Sequence, residues 1–206
     1  MGYSEHMKRK IIASVLAVAA LFPAIAQTTE VPEQPATSYE YEPIRKGDQL
    51  IAISLGIGIP LFNLGPDGIE TKTNIFTGGL GTIGFSQFIN TRIALGGEIT
   101  FAFNSTLGEN LYFYIPMMFT ASWETVFDRI RVPVSLGAGF AFQTYNSVTY
   151  FGPVVRPRIG AYYQYNPEWS FGVGAEWNAI FQWYEQRDNN RTGNVMNVTA
   201  GMRYHF

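Results

Sequence analysis

Cysteine is absent from the 206 residues, and histidine occurs only as His6 and His205. The first absence excludes disulfides, thiolate metal sites and an acylated N-terminal cysteine. Charged residues make up only 15% of the chain, with a formal net charge of −2, which argues against nucleic-acid binding because that needs a basic surface. No cofactor is expected. The one long apolar run, 11–25, falls short of the ~20 residues of a spanning helix.

The N-terminal segment carries an export pattern. Lys8, Arg9 and Lys10 precede the apolar run, and Ala24-Ile25-Ala26 offers a small-residue cleavage site. We therefore predict a signal peptide within 1–26, including a short extension before Met7; the alternative is a retained anchor helix. Residues 27–46 are polar, acidic and proline-containing without periodicity, which predicts a disordered lead-in.

From Gln49 onward the chain alternates between apolar and small or polar residues. Ile51, Ile53 and Leu55 lie on one face of the first segment, and Ser54 and Gly56 on the other. Seven further segments begin near 75, 92, 112, 131, 156, 169 and 194. A period of two indicates strands, and segments of about ten residues are long enough to cross a bilayer when tilted. The pattern predicts an all-β, eight-stranded, antiparallel up-and-down transmembrane barrel over 47–206.

Composition decides which face of the barrel points outward. A soluble lipocalin-like barrel would carry Lys and Glu on its polar face, whereas here that face is mostly Gly, Ala, Ser and Thr, which suit a narrow lumen. The apolar face lacks charge, as expected where a basic residue facing mid-bilayer costs about 2–4 kcal/mol. Connections near 89–91, 125–129 and 166–168 are short, and those near 60–74, 104–110, 143–151 and 184–194 are longer. This asymmetry predicts periplasmic turns and outer loops.

The C-terminal pattern Thr199-x-Gly201-x-x-Tyr204-x-Phe206 resembles the sorting signal of bacterial outer-membrane β-barrels. With this pattern and its architecture, 47–206 resembles the small eight-stranded outer-membrane barrels of the outer membrane protein X, protein W and OmpA-barrel types. The resemblance implies a place in the cell outer membrane. It also implies outer-membrane lipid and the barrel-assembly machinery as partners.

Several charged residues occupy inward positions of the predicted strands: Arg92, Glu98, Arg131, Arg156, Arg158, Glu176 and Arg203. Because buried charges must be paired, we predict an Arg–Glu network that braces the lumen. A catalytic carboxylate pair of Glu98 and Glu176, or a weakly anion-selective pore, is the alternative. His205 is predicted at the periplasmic rim, away from any outer-leaflet substrate, so we expect no histidine-dependent triad and no enzyme.

Four prolines, Pro116, Pro133, Pro153 and Pro157, fall inside predicted strands, where each removes a ladder hydrogen bond. Bulges or strand ends would explain them. The alternative is a lateral gap between the fifth and sixth predicted strands at Pro133 and Pro157, through which an apolar solute could leave the lumen.

Two functional classes follow for this exported barrel. The first is a structural barrel or a limited-permeability, porin-like conduit for small solutes, apolar ones included. The second is a surface-exposed contact or adhesion protein, and thus an antigen, whose outer loops bind a host ligand. The candidate loop residues are Asn63, Asp67, Glu70, Lys72, Glu185, Arg187, Asp188 and Arg191.

Overall fold

The computed structural model describes residues 43–106, 110–145, 148–183 and 190–206. Within these ranges the chain forms eight long strands and one two-residue strand. They are β1 (Gln49–Leu64), β2 (Glu70–Thr71), β3 (Ile75–Phe88), β4 (Ile93–Thr106), β5 (Leu111–Phe127), β6 (Ile130–Tyr145), β7 (Val148–Gln164), β8 (Trp169–Gln182) and β9 (Arg191–His205). The predicted signal peptide (1–26) and residues 27–42 of the predicted lead-in lie outside the described residues. No helix in the described part of the chain is long and apolar enough to cross a membrane.

The long strands pair in sequence order, each antiparallel to the next, and β9 pairs with β1. This closes the sheet into the eight-stranded barrel that the alternation predicted. Leu50 pairs with His205, so the first and last long strands meet at one end of the barrel. Closure removes the exposed sheet edges that could not satisfy their backbone hydrogen bonds in lipid.

Three tight turns, at 89–92, 128–129 and 165–168, share this end, here called the turn end. The Asn90 side-chain oxygen accepts hydrogen bonds from the backbone N–H groups of Arg92 and Ile93, at 2.8 and 2.7 Å. Asn166 does the same for Glu168 and Trp169, at 3.1 and 2.6 Å. These Asx-type turns are the local chemistry that reverses the chain at the turn end.

The opposite end, here called the loop end, differs from the prediction in one connection. The long loop expected over 143–151 is wrong, because β6 and β7 stay paired as far as Tyr145 and Val148. Thr144 and Thr149 face each other in this extension, with their hydroxyl oxygens 3.5 Å apart. The polarity of 143–151 indicated a loop. Its threonine and aromatic residues instead favour a strand, because they suit a pleated surface.

The two faces of the barrel differ in size and polarity. Large apolar side chains stand on the outside, of which Phe119 is 84% exposed. Small residues on the inner face let the strands approach closely. At Gly172 a Cβ atom would collide with the Ala161 carbonyl oxygen, and at Gly139 with the Met117 carbonyl oxygen. The outer surface is therefore suited to lipid and the lumen to close packing.

The four in-strand prolines lie within β5, β6 and β7 without shifting the strand register, so the expectation of bulges or strand ends is wrong for them. Instead, the backbone pairing with one neighbouring strand is interrupted beside each proline, so that the ladder of paired residues skips there. The β4–β5 ladder skips beside Pro116, and the β6–β7 ladder beside Pro133. The β7–β8 ladder skips beside Pro157 and stops short of Pro153. Each proline lacks the N–H that would bond that neighbour, while the strand on its other side holds the register.

Candidate functional site: a charged and closed lumen

The lumen is packed with side chains across its middle. Toward the loop end lies an apolar belt, which includes Leu80, Tyr112, Tyr114, Met118 and Ile180. A second apolar cluster, the turn-end plug, contains Ile44, Leu50, Phe88 and Ala94. Between the belt and the plug lie the charged residues, in two groups. The charges therefore stand between two apolar layers.

The first group, the central cluster, contains Glu98 of β4, Arg156 and Arg158 of β7, and Glu176 of β8. Arg158 bridges the two carboxylates, with Nη1 2.8 Å from Glu98 Oε2 and Nη2 2.6 Å from Glu176 Oε2. Arg156 Nη1 lies 3.0 Å from Glu98 Oε1 and 3.5 Å from Glu176 Oε1. Two arginines thus face two glutamates, and the cluster is formally neutral.

Neutral polar groups add hydrogen bonds to the central cluster, although Arg156 Nη2, Asn178 Nδ2 and Asn197 Oδ1 are buried without a partner among the described residues. Arg156 donates to the side-chain oxygens of Asn178 and Thr100, at 2.5 and 2.9 Å. Asn197 donates its amide to Glu176 Oε1 at 2.8 Å. Arg156 is 1% and Glu176 2% exposed, so both charges depend on these partners for their solvation.

The second group, the turn-end cluster, contains Glu124 of β5, Arg131 of β6 and Arg203 of β9. The Glu124 carboxylate lies 3.4 Å from Arg131 Nη1 and 3.0 Å from Arg203 Nη1. Arg131 Nε donates to Gln164 at 3.0 Å, and the Arg203 guanidinium carbon lies 3.7 Å from the centre of the Tyr162 ring. Here two arginines share one carboxylate.

Arg92 is a correction to the predicted network. Its side chain is exposed beside the turn 89–92, and its guanidinium carbon lies 5.9 Å from the Trp123 ring on the outside of the barrel. The physical reason is that β4 begins only at Ile93, so Arg92 precedes the alternation that would have turned it inward. The structure brings the other six predicted residues, Glu98, Arg131, Arg156, Arg158, Glu176 and Arg203, into the two clusters.

Glu124 is the member that sequence reasoning missed. The fourth predicted strand was followed only as far as Trp123, whereas β5 continues to Phe127. Extending the alternation by one residue places Glu124 on the same face as Ser122. An acidic residue in that register is the signal that could have identified it.

His205 lies at the turn end, as its position in the sequence predicted. Its Nε2 is 2.9 Å from the Ser170 hydroxyl oxygen. Ser170 is fully buried. Among the described residues no group of three or more His, Cys, Asp or Glu side chains could hold a metal ion.

Two cavities of unequal size flank the packed middle. The vestibule, at the loop end, has a volume of about 620 Å³ and is lined partly by Asn63, Lys72 and Arg191. The chamber, of about 60 Å³, is bordered by Glu98 and Arg158 of the central cluster and by residues of the turn-end cluster. Arg156, Glu176 and the belt residue Tyr114, each at most 2% exposed, pack between the two cavities.

The predicted loop residues are only partly described. Asn63, Lys72 and Arg191 border the vestibule. Asp67 and Glu70 are exposed in the connection that carries β2. Glu185, Arg187 and Asp188 lie outside the described residues. A ligand-binding role for these loops stays a prediction.

The four residues of the C-terminal pattern divide between the faces of β9. Thr199 is buried in the lumen, and a Cβ at Gly201 would lie 2.6 Å from the Ile53 carbonyl oxygen. Tyr204 faces outward, with its ring centre 5.8 Å from Phe206 and 4.9 Å from Trp169. Recognition by an assembly machinery stays a prediction.

Pro133 and Pro157 lie in neighbouring strands but interrupt different ladders. Pro133 points inward and interrupts β6–β7, whereas Pro157 is exposed on the outside and interrupts β7–β8. With Pro153, two of the four interruptions fall between β7 and β8. The strand pair with the most interruptions is therefore β7–β8, whereas the sequence indicated a gap between β6 and β7.

The fold defines the class of protein. The barrel is similar to solved outer-membrane barrels, among them Neisserial surface protein A, with a TM-score of 0.60 at 12% identity over 78% of this chain and 98% of that one. OprG from Pseudomonas aeruginosa matches with a TM-score of 0.53 at 12% identity, over 79% of this chain and 97% of that one. The attachment invasion locus protein Ail of Yersinia pestis gives 0.51 at 13% identity, over 78% and 99%. The chain has the fold of the small eight-stranded outer-membrane β-barrels.

Sequence similarity identifies the family. The model of an uncharacterized Treponema family matches residues 27–204. An uncharacterized protein of Treponema pallidum (strain Nichols) is 31% identical over 95% of both chains. An uncharacterized protein of Borreliella burgdorferi is 26% identical over 67% of this chain and 75% of that one. The chain belongs to this Treponema family.

Proposed function

We propose that this protein is an integral outer-membrane barrel whose lumen is closed at mid-depth, so that small solutes enter the vestibule but do not cross freely. The turn end faces the periplasm and the loop end faces outward. The apolar outer face and the closed sheet support a place in lipid, where every backbone polar group needs an internal partner. The low-identity barrel neighbours support the fold on which the proposal rests.

The central cluster is the observation that carries the proposal. Glu98, Arg158 and Glu176 are linked by ion pairs of 2.6–2.8 Å that join β4, β7 and β8. Side chains in direct contact leave no continuous water column between the vestibule and the chamber. An ion crossing this level would have to displace a buried ion pair, which costs several kcal/mol.

Conductance of residues 27–206 refolded into planar bilayers tests the closed lumen. We expect no discrete steps for the wild type, and steps for an Arg156→Ala, Glu176→Ala double variant, which removes one charge of each sign and shortens two of the side chains packed between the vestibule and the chamber. Glu70→Ala, exposed in the loop-end connection, is the matched control and should stay silent. Regular steps in folded wild-type protein would contradict the proposal.

A second candidate, lateral passage of apolar solutes from the vestibule into the membrane, is favoured by the β7–β8 wall. Its ladder begins only at Val154 and Ile180, and it skips again beside Pro157. Ile180 and Tyr150 also line the vestibule, so the interrupted wall borders the larger cavity. Fewer backbone hydrogen bonds between two strands lower the cost of separating them.

Apolar solute uptake into liposomes tests the lateral path. The Pro153→Val, Pro157→Val double variant restores the two missing N–H donors, so we expect slower uptake. Pro133→Val with Pro157→Val tests the gap that the sequence indicated. Pro116→Val in the distant β4–β5 wall is the control and should leave uptake unchanged. Equal uptake by all four proteins would exclude the lateral path.

A further inference from the structure

The lumen charges do not balance. Below the vestibule, the described part of the chain buries four arginines and three glutamates in the two clusters, which leaves a formal charge of +1 with His205 neutral. The central cluster is matched two to two. The surplus therefore belongs to the turn-end cluster, where Arg131 and Arg203 share Glu124. A buried charge without a counter-charge is costly, because low-dielectric surroundings replace its hydration.

One donor in this cluster lacks a partner. Arg203 Nε is buried and makes no hydrogen bond within the described residues. Arg203 itself is 8% exposed, and it borders the chamber. Its Nη1 is engaged by Glu124 and its face by the Tyr162 ring. A buried, unpaired N–H on a charged group beside a cavity indicates that something in the cavity accepts from it.

The lining of the chamber suits a small anion. It carries hydroxyl groups from several strands: Ser54, Ser86, Thr120, Ser122 and Ser135. The Arg158 side chain, 22% exposed, adds a second guanidinium on the same cavity. The two carboxylates on the lining, Glu98 and Glu124, each use both oxygens on arginines. The arginines therefore already neutralise the two carboxylates that face the chamber.

Its size and position limit the ligand. A volume of about 60 Å³ holds roughly four to six waters, at the 10–15 Å³ that one water needs. The central cluster closes one side, and the apolar plug of Leu50, Phe88 and Ala94 lies toward the turn end. We propose that the chamber binds a single small monovalent anion with its residual water, held by Arg203 and the hydroxyl lining. This site does not depend on whether the lumen conducts.

Bromide, which can be located by anomalous diffraction, is the direct probe. We expect crystals of the refolded protein grown in sodium bromide to show an anomalous peak in the chamber beside Arg203. In solution, bromide should raise the urea midpoint of unfolding relative to gluconate at equal ionic strength. Sulfate and phosphate stabilise folded proteins generally because they are excluded from the protein surface, so only the part of their shift that Arg203→Met loses reports on the site, and that part should be smaller than for bromide.

Two variants separate this site from general salt effects. Arg203→Met keeps a long side chain against Tyr162 but removes the surplus charge, and Ser122→Asp supplies a carboxylate within the chamber lining. Both should lose the peak and the bromide shift, and Ser122→Asp keeps the proposal testable if Arg203→Met does not fold. Arg92→Met, outside the lumen, is the matched control and should keep both. A bromide shift that survives in Arg203→Met, or no shift in the wild type, would overturn the proposal.

Discussion

The central and turn-end clusters use the same residue types in the same lumen, yet they differ in balance. In the central cluster each arginine contacts both glutamates, and Asn178, Thr100 and Asn197 add hydrogen bonds. In the turn-end cluster a single carboxylate is divided between two guanidiniums, with Gln164 and the Tyr162 ring as neutral support. The difference teaches that one cluster is balanced in formal charge, whereas the other keeps an unmatched positive charge beside a cavity.

Removing a carboxylate from the central cluster should have the largest effect. Glu176→Ala leaves Arg156 and Arg158 buried with one glutamate and deprives Asn197 of its acceptor. We expect a loss of about 3–5 kcal/mol in the free energy of unfolding, as for broken buried ion pairs. Urea unfolding of the refolded barrel in lipid vesicles, followed by tryptophan fluorescence, measures it. Glu168→Ala in the exposed turn 165–168 is the control. A loss under about 1 kcal/mol would show that this carboxylate is not needed to neutralise the arginines.

The coupling energy within the central cluster should be smaller than that loss. The Glu98–Arg158 contact at 2.8 Å predicts non-additive losses in the Glu98→Gln, Arg158→Met double-mutant cycle. We expect a coupling energy of about 1–3 kcal/mol, because the double variant removes both charges together. The reference is a double-mutant cycle of Glu98 and Arg131, because no ion pair joins these two residues in the described lumen. Additive losses in the first cycle would mean that the contact contributes no net stability.

The barrel could be predicted from the sequence because the alternation of side chains is a local property of each strand. Alternation of side chains along a strand fixes which residues face inward, and this placed Glu98, Arg156 and Arg158 correctly. Where a strand ends is less local, since it depends on the neighbouring strand. Arg92 and Glu124, each at a misplaced strand end, were therefore assigned wrongly or missed.

Which charges pair also depends on the stagger of strands across the barrel, and alternation along one strand carries no information about it. Glu98 and Glu176 were the two acidic members of the predicted network, and so the two candidate partners of Arg203. The closed register instead sets Arg203 beside Glu124, 79 residues away along the chain. The chamber follows from that stagger, and so the sequence did not indicate it.

The turn-end cluster should respond unequally to loss of its negative and of its positive charge. Glu124→Gln leaves two buried arginines facing each other, and we expect a loss of about 2–4 kcal/mol in the free energy of unfolding, mostly from the unpaired charges. Arg203→Met leaves Arg131 and Glu124 matched one to one, and we expect a change within about 1 kcal/mol. Urea unfolding at matched ionic strength compares them. Equal losses would show that charge balance does not govern this cluster.

The smallest effect is expected for Arg92, which lies outside both clusters and can be compared directly with Arg203. Arg92 carries the same charge but is exposed, 5.9 Å from the Trp123 ring. Arg92→Met should change the free energy of unfolding by less than about 0.5 kcal/mol, as usual for a surface substitution. The same unfolding experiment with Trp123→Leu, alone and combined with Arg92→Met, measures the contact between the guanidinium and the ring. A loss approaching that of Glu124→Gln would mean that Arg92 is held by interactions as demanding as those in the lumen. Its exposure argues against this, because water solvates the Arg92 guanidinium of the wild type about as well in the folded barrel as in the unfolded chain.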